Sequence, residues 1–431
     1  MTRRRGGGMR AVEAFTLSLA VAFNFFEPAK AELKNCTCSA VYSFGDSLTD
    51  NGNGIATFPD QFIDSETNPN GFNFPHHAAD RYCDGRLLVD YVAFGMGRKP
   101  NYAILRSIAA DFTYGANFAV AGATARNNTE WVQETGFSSP FSLNVQVSWL
   151  ERYKVRLQFY YAQVELNSTT RGVVYQSLPA SDSLNTSLYF VYAGFQDYFF
   201  PMYYQTMTPT EALDIVDAVV DSIVAAIQRI YAFGARSIMI VNLPPMGCLP
   251  ALLTLYADED SEKYDTYGCL DSPNKVSNSH NTLLESRVAD LRHNYTNATF
   301  YYADYYSVYR DVLKSPTLYG ISESDTLTAC CGYGGSYNFN ASLFCTHSGI
   351  MNGGMVNLSY PCSNSTSYIN WDGIHPTAQM NWITATLFLN GTHITPAGGF
   401  NCSADTSNWY LSHDSLQLVS CIDEVLEELS N

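Results

Sequence analysis

Short runs of apolar, β-branched and aromatic residues alternate along this chain with longer stretches whose apolar residues recur every three or four positions. The runs Ala40–Phe44, Leu188–Ala193, Ser237–Val241 and Thr299–Ala303 have the length and composition of strands. Between them, Glu211–Tyr231 places Ile215, Val219, Ile223, Ile227 and Ile230 at helical spacing, and Val276–His293 does so with Leu283, Leu284, Val288 and Leu291. Apolarity alone does not separate a buried strand from a buried helix, so the class rests on the repeated alternation. Strand and helix in turn imply right-handed crossovers and an α/β fold whose parallel sheet is covered on both faces. Asp60–Pro75, rich in Asn, Pro and Gly, predicts a surface loop. The residues after Pro396 have a separate character: Leu416–Leu429 predicts a short acidic helix, and Cys402 and Cys421 are placed to staple the tail.

The first residues interrupt this pattern. Arg3, Arg4, Arg5 and Arg10 precede an apolar run from Ala14 to Phe26, and Ala29-Lys30-Ala31 offers small residues at a cleavage position. This arrangement predicts a secretory signal over residues 1–31, with a mature domain over 32–395 and a tail over 396–431. An uncleaved anchor fits less well, because about 13 apolar residues fall short of a hydrocarbon core about 30 Å thick. Export agrees with the density of Asn-x-Ser/Thr acceptors, at Asn35, Asn127, Asn167, Asn185, Asn294, Asn297, Asn340, Asn357, Asn364, Asn390 and Asn401, which predicts N-glycans. It also agrees with the 11 cysteines, all beyond the cleavage position. The cluster Cys330, Cys331, Cys345 and Cys362 lacks the paired spacing of a zinc site, so disulfides are expected. An odd count leaves at least one thiol over, and Cys83, apart from the clusters, is the candidate; Cys330 and Cys331, being adjacent, are each expected to pair elsewhere.

Composition then narrows the partners. With 46% hydrophobic residues the chain has ample material for a core, and its net charge of −17 disfavours nucleic acid and anionic membrane surfaces. The Glu-Glu-Leu-Ser-Asn terminus carries no apolar tail, so no lipid anchor is expected. Integral membrane association is not expected, and no metal or organic cofactor is implied.

Two polar motifs follow predicted strands: Gly45-Asp46-Ser47-Leu48 and Gly194-Phe195-Gln196-Asp197. Ligands of open parallel sheets bind at the carboxyl ends of the strands. Ser47 alone is compatible with an ordinary turn. Asp372-Gly373-Ile374-His375-Pro376 supplies what a nucleophilic serine needs, a base and a group that orients it. Pro376 is predicted as the first helical residue of Thr377–Leu389, which leaves His375 exposed on the loop at the helix entry. Asp372 can turn back to the ring and fix its tautomer, although taken alone the pair could serve only to cap the helix. Phe195, Tyr198, Phe199 and Phe200, at the end of the second strand, are expected in the core rather than along a substrate pocket.

Taken in order, several segments resemble the plant-type GDSL esterase/lipases of the SGNH hydrolase superfamily. They are Phe44–Asn53, Asp84-Gly85-Arg86-Leu87 with Asp90, Asn117–Thr124, Asn242–Cys248, Cys330–Gly335 and Asn370–Thr377. The resemblance runs from about residue 40 to residue 390. It implies a three-layer α/β/α sandwich with a central parallel sheet, and a serine ester hydrolase working through an acyl-enzyme. By position it makes Ser47 the nucleophile, His375 the base and Asp372 its orienter. The oxyanion hole would use the backbone N–H groups of Ser47 and Gly122 and a side-chain amide at residue 196. There the family carries asparagine, whereas this chain has Gln196, one methylene longer. The expected substrate is a small-molecule or polysaccharide ester (lipid, cell-wall acetyl or small-metabolite) met in the extracellular space or cell wall. A noncatalytic binding glycoprotein of the same fold and an acyltransferase are the alternatives.

Overall fold

The computed structural model describes residues 38–74, 80–127, 139–166, 177–257, 263–351, 354–357 and 361–397. The proposed signal, most of the tail with Cys402 and Cys421, Cys36 and the acceptors Asn35, Asn167 and Asn401 lie outside them.

Nine strands are described: β1 Val41–Gly45, β2 Tyr102–Ala103, β3 Ala116–Asn117, β4 Leu188–Tyr192, β5 Ser237–Val241, β6 Thr299–Ala303, β7 Ser348–Met351, β8 Gly354–Asn357 and β9 Ile394–Thr395. Seven form one sheet in the order β2-β3-β1-β4-β5-β6-β9, parallel except for β9. Strand β1 pairs with β4 from Val41↔Leu188 to Gly45↔Tyr192 and with β3 at Ser43↔Asn117. The runs Val-Tyr-Ser-Phe-Gly, Leu-Tyr-Phe-Val-Tyr, Ser-Ile-Met-Ile-Val and Thr-Phe-Tyr-Tyr-Ala are buried almost throughout. A sheet covered on both faces requires such runs, because no side of the strand meets water.

Helices cover both faces, as the alternation predicts. Leu143–Leu166, Val216–Ala232 and Asp271–Asn294 pack side by side as one group, and Leu88–Gly95, Tyr305–Lys314 and Ala378–Leu389 as another. Among the described residues no helix is long and apolar enough to cross a membrane.

Several expectations need correction. Glu211–Tyr231 is two helices: Pro209–Leu213 ends at Asp214, and Ile215 caps the helix that begins at Val216. Thr208 and Glu211 form a capping box, with the Glu211 N–H donated to Thr208 Oγ1 and the Thr208 N–H donated to Glu211 Oε2. Pro376 lies outside its helix, whose N-cap is Thr377. The antiparallel hairpin β7–β8 was not expected. It pairs Ile350 with Met355, which are 73% and 74% exposed.

Three disulfides join described cysteines: Cys248–Cys269, Cys330–Cys362 and Cys331–Cys345. Cys330 and Cys331 thus pair elsewhere, as adjacency demands. Cys83 is free and buried, and Cys38 is free as well. All eight acceptor asparagines among the described residues reach the surface: Asn340 and Asn390 are half-buried and the other six exposed.

Candidate active site

Strand β1 ends at Gly45, whose φ of 152° and whose packing against β4 exclude a side chain, since a Cβ would lie 2.1 Å from the Tyr192 carbonyl oxygen. Gln146 holds this residue from both sides. Its Oε1 accepts the Gly45 N–H at 2.9 Å and its Nε2 donates to the Gly45 carbonyl at 2.8 Å. The chain then turns about Asp46. Asp46 Oδ1 accepts the Leu48 N–H at 3.0 Å, and its carbonyl accepts those of Thr49 and Asp50 at 3.0 and 2.9 Å. Ser47 sits on this turn, 8% exposed, beside the point where the connection leaving β1 runs to one side of the sheet, to β2, and the connection leaving its neighbour β3 runs to the other, to β4.

The partner residues arrive from the far end of the chain. Asp372 Oδ1 accepts the N–H groups of Ile374 and His375 at 2.9 and 2.8 Å, which folds the segment into a tight turn. Its Oδ2 lies 2.7 Å from His375 Nδ1, and His375 Nε2 lies 2.8 Å from Ser47 Oγ. The structure therefore joins the three residues expected from the sequence into one continuous hydrogen-bonded chain. His375 is not exposed as expected: 6% of its surface is accessible, and the Tyr82 ring stacks on it with centroids 5.2 Å apart. The turn is anchored outside the sheet, where the Cys330 and Cys331 N–H groups donate to the carbonyls of Asn370 and Trp371 at 3.0 and 2.7 Å. Asp84 explains another of the recognised segments. Its Oδ1 accepts the Ala378 N–H at 2.6 Å, at the start of the helix that follows His375.

The oxyanion candidates meet at the same cavity, which is lined by Ser47, Gly122, Gln196 and His375 and walled by Phe62, Phe199 and Phe344. Gly122 has φ 74°, open to glycine and costly for other residues. Its flanks are pinned by acids: Asp50 Oδ2 accepts the Ala121 N–H at 2.7 Å, and Asp197 Oδ2 accepts the Ala125 N–H at 2.6 Å. The N–H groups of Ser47 and Gly122 donate to no described residue. Gln196 occupies the first turn of the helix Phe195–Tyr204, behind Gly194. Of the four aromatic residues expected in the core, all are buried, and Phe199 also lines the cavity.

Burial governs the acids beneath the site. Asp46 is pushed up to about 7, mainly by desolvation. The Leu48 N–H, the His375 ring and the Gln196 N–H oppose that rise, while the Asp197 charge adds to it. Asp50 is raised to about 6 by desolvation, against the N–H groups of Ala121, Gly52, Asn53 and Gly54. Asp197 is also raised by burial, with the Ala125 N–H and Arg126 opposing. Asp50 and Asp197 lay inside recognised segments, and their place beside glycines and at a strand end was the available signal. Tyr82 had none, because only its stacking on His375 reveals it.

A family model described as GDSL-like Lipase/Acylhydrolase matches residues 41–388. A GDSL esterase/lipase of Arabidopsis thaliana is 34% identical over 83% of this chain and 89% of its own length. A GDSL esterase/lipase of Zea mays is 34% identical over 80% of this chain and 84% of its own. An Arabidopsis thaliana protein named Alpha-L-fucosidase 3 is 33% identical over 80% of this chain and 88% of its own.

Proposed function

From the premise that the chain belongs to the GDSL-like lipase/acylhydrolase family and is a carboxylic ester hydrolase, we propose that Ser47, His375 and Asp372 perform the reaction through an acyl-enzyme. The observation that carries this reading is the unbroken path from Ser47 Oγ to His375 Nε2, and from Nδ1 to Asp372, at 2.8 and 2.7 Å. Ser47 Oγ attacks the ester carbonyl while His375 takes its proton. Asp372 holds the Nδ1 tautomer and stabilises the imidazolium that forms. The oxyanion is met by the N–H groups of Ser47 and Gly122 and by the Gln196 side-chain amide. His375 then gives its proton to the leaving alcohol, and a water deprotonated by His375 releases the acid and frees Ser47.

Export and glycosylation complete the proposal: cleavage after Ala31, a hydrolase domain over 32–395, a tail over 396–431, and N-glycans on a protein of the extracellular space or cell wall. The surface position of the eight described acceptors supports it. Glycoside hydrolysis, suggested by one relative's name, calls for a pair of free carboxylates flanking the bond. Of the two carboxylates lining this cavity, Asp64 and Asp372, the second is committed to His375.

The test is a panel of p-nitrophenyl esters of increasing chain length, with a p-nitrophenyl α-L-fucoside and an alcohol acceptor included. A fluorophosphonate probe is expected to label the wild type and miss Ser47→Ala. Equal labelling would remove Ser47 as the nucleophile. Ester product without free acid, given an acceptor, would make the protein a transferase. Absence of any turnover together with absence of labelling would favour the noncatalytic glycoprotein.

A further inference from the structure

The helix Asp271–Asn294 carries a row of buried polar residues. Three of them serve the loop that follows β5. Asn274 Oδ1 accepts the Gly247 N–H at 2.9 Å, Ser277 Oγ accepts that of Met246 at 3.3 Å, and Asn281 Oδ1 accepts that of Leu243 at 2.9 Å. The fourth, His280, serves a different element. It is fully buried, and its Nδ1 lies 2.9 Å from the hydroxyl of Tyr198, on the helix that carries Gln196. The two rings meet edge to face with centroids 5.5 Å apart. The same imidazole rests on Gly194, where a Cβ would come within 3.1 Å of His280 Cε1. Burial pushes the His280 pKa down to about 3, so the ring is neutral near pH 7. Its Nε2 has no hydrogen-bond partner among the described residues. An idle buried nitrogen costs free energy that an apolar ring of similar shape would not, so packing alone does not account for a histidine here. What this side chain adds is the bond to Tyr198.

Gly194 and Tyr198 stand four residues apart and meet His280 from one face of the helix start. Gln196, two residues from each, points about 200° around the helix from both. That other face opens on the cavity shared with Ser47 and Gly122. His280 thus holds the back of the turn whose front carries the amide. Asp197 holds the turn independently, by accepting the N–H groups of Ala125 and Arg126 at 2.6 and 3.2 Å. A glutamine amide has one more rotatable bond than an asparagine amide, so its aim depends on a helix start that does not shift. Resting on the proposed Ser47 reaction with Gln196 at the oxyanion, we infer that His280 is a positioning residue, which acts through Tyr198 and Gly194 to fix the helix start that aims the Gln196 amide.

His280→Phe keeps a ring of similar size and removes the nitrogen that faces Tyr198. Tyr198→Phe removes the hydroxyl alone, and reads the same contact if His280→Phe does not fold. Each is made in the wild type and in Gln196→Ala, with kcat and KM measured on the p-nitrophenyl ester that the wild type hydrolyses fastest. In the wild-type background kcat is expected to fall about tenfold with KM within about twofold, the mark of a misplaced group that acts in the transition state. In the Gln196→Ala background the same change should lower kcat by less than about twofold, because the amide it positions is gone. A contact that only stabilises the fold would lower kcat by the same factor in both backgrounds, and that result overturns the inference. So does an unchanged kcat, or a loss confined to KM, in the wild-type background. Gln196→Ala that turns over like wild type would refute the amide's part in the oxyanion hole and the inference with it. A wild type that neither hydrolyses an ester nor takes the fluorophosphonate label would refute the ester reaction and the inference together.

Discussion

The two halves of the site are built by different physics. The Ser47 half stands on the sheet: Gly45 is fixed by Gln146 and β4, and the buried acids Asp46 and Asp50 tie the turn to its own N–H groups and to Ala121. The His375 half lies on a turn whose backbone partners are Cys330 and Cys331, each tied by a disulfide to the segment that carries the exposed hairpin β7–β8. One half inherits its rigidity from the apolar core. The other depends on covalent links and on the capped helix Ala378–Leu389. A serine on a buried strand end holds position at little further cost, whereas a base delivered from outside the sheet needs its own scaffold.

The largest expected effect touches the contact between the halves. Ser47→Ala should reduce ester turnover by about 10⁴-fold or more while the melting temperature stays near wild type, because the lost hydroxyl fills little space. A variant that unfolds instead would mean that Ser47 supports the turn itself. Gln196→Ala comes next, with a loss of roughly a hundredfold in kcat and little change in KM if its amide meets the oxyanion. Gln196→Asn, with the family's shorter side chain, should equal or exceed wild type. Unchanged kinetics in Gln196→Ala would leave the hole to the N–H groups of Ser47 and Gly122.

The third prediction separates the halves. Replacing Cys331 and Cys345 by serine should cost up to about 2–5 kcal/mol of stability, the range for lost disulfides. Fluorophosphonate labelling should fall while hydrogen exchange at β1, β4 and β5 stays slow. Full labelling in this variant would show that the base half stands without its bridge. The smallest effect concerns the acids under Ser47. An unfolded aspartate titrates near 4, whereas folded Asp50 and Asp46 sit at about 6 and about 7. The folded state therefore holds protons that the unfolded chain has released, and stability falls as pH rises from about 4 to about 7. Asp46→Asn, which keeps an acceptor for Leu48, should flatten the upper part of that decline. Melting curves between about pH 5 and 8 check it, and an undiminished slope would detach the effect from Asp46.

The same division decided what the sequence revealed. The four long strands were legible because each is a run of apolar residues buried on both faces, and Ser237–Val241 and Thr299–Ala303 fall where their composition placed them. Ser47, Asp372 and His375 were legible through short local segments that carry their own turn chemistry. The edge strands β2, β3 and β9, at two residues each, are too short to show any period. The hairpin β7–β8 presents Ile350 and Met355 to solvent, so no buried face marks it. The burial of His375 escaped because it comes from Tyr82, almost three hundred residues away in sequence and met only in the fold.

The order of the sheet has one more consequence. Its outermost strands, β2 and β9, are both only two residues long, so the longer apolar strands lie inside, each with a neighbour on either side. An open sheet edge is a template on which a second chain can lay a strand, and the risk grows with its length and apolarity. Here each described border strand offers the donors and acceptors of only two residues, and β9 covers Tyr302 and Ala303 of β6. The short border strands therefore blunt the template that this sheet presents to a second chain.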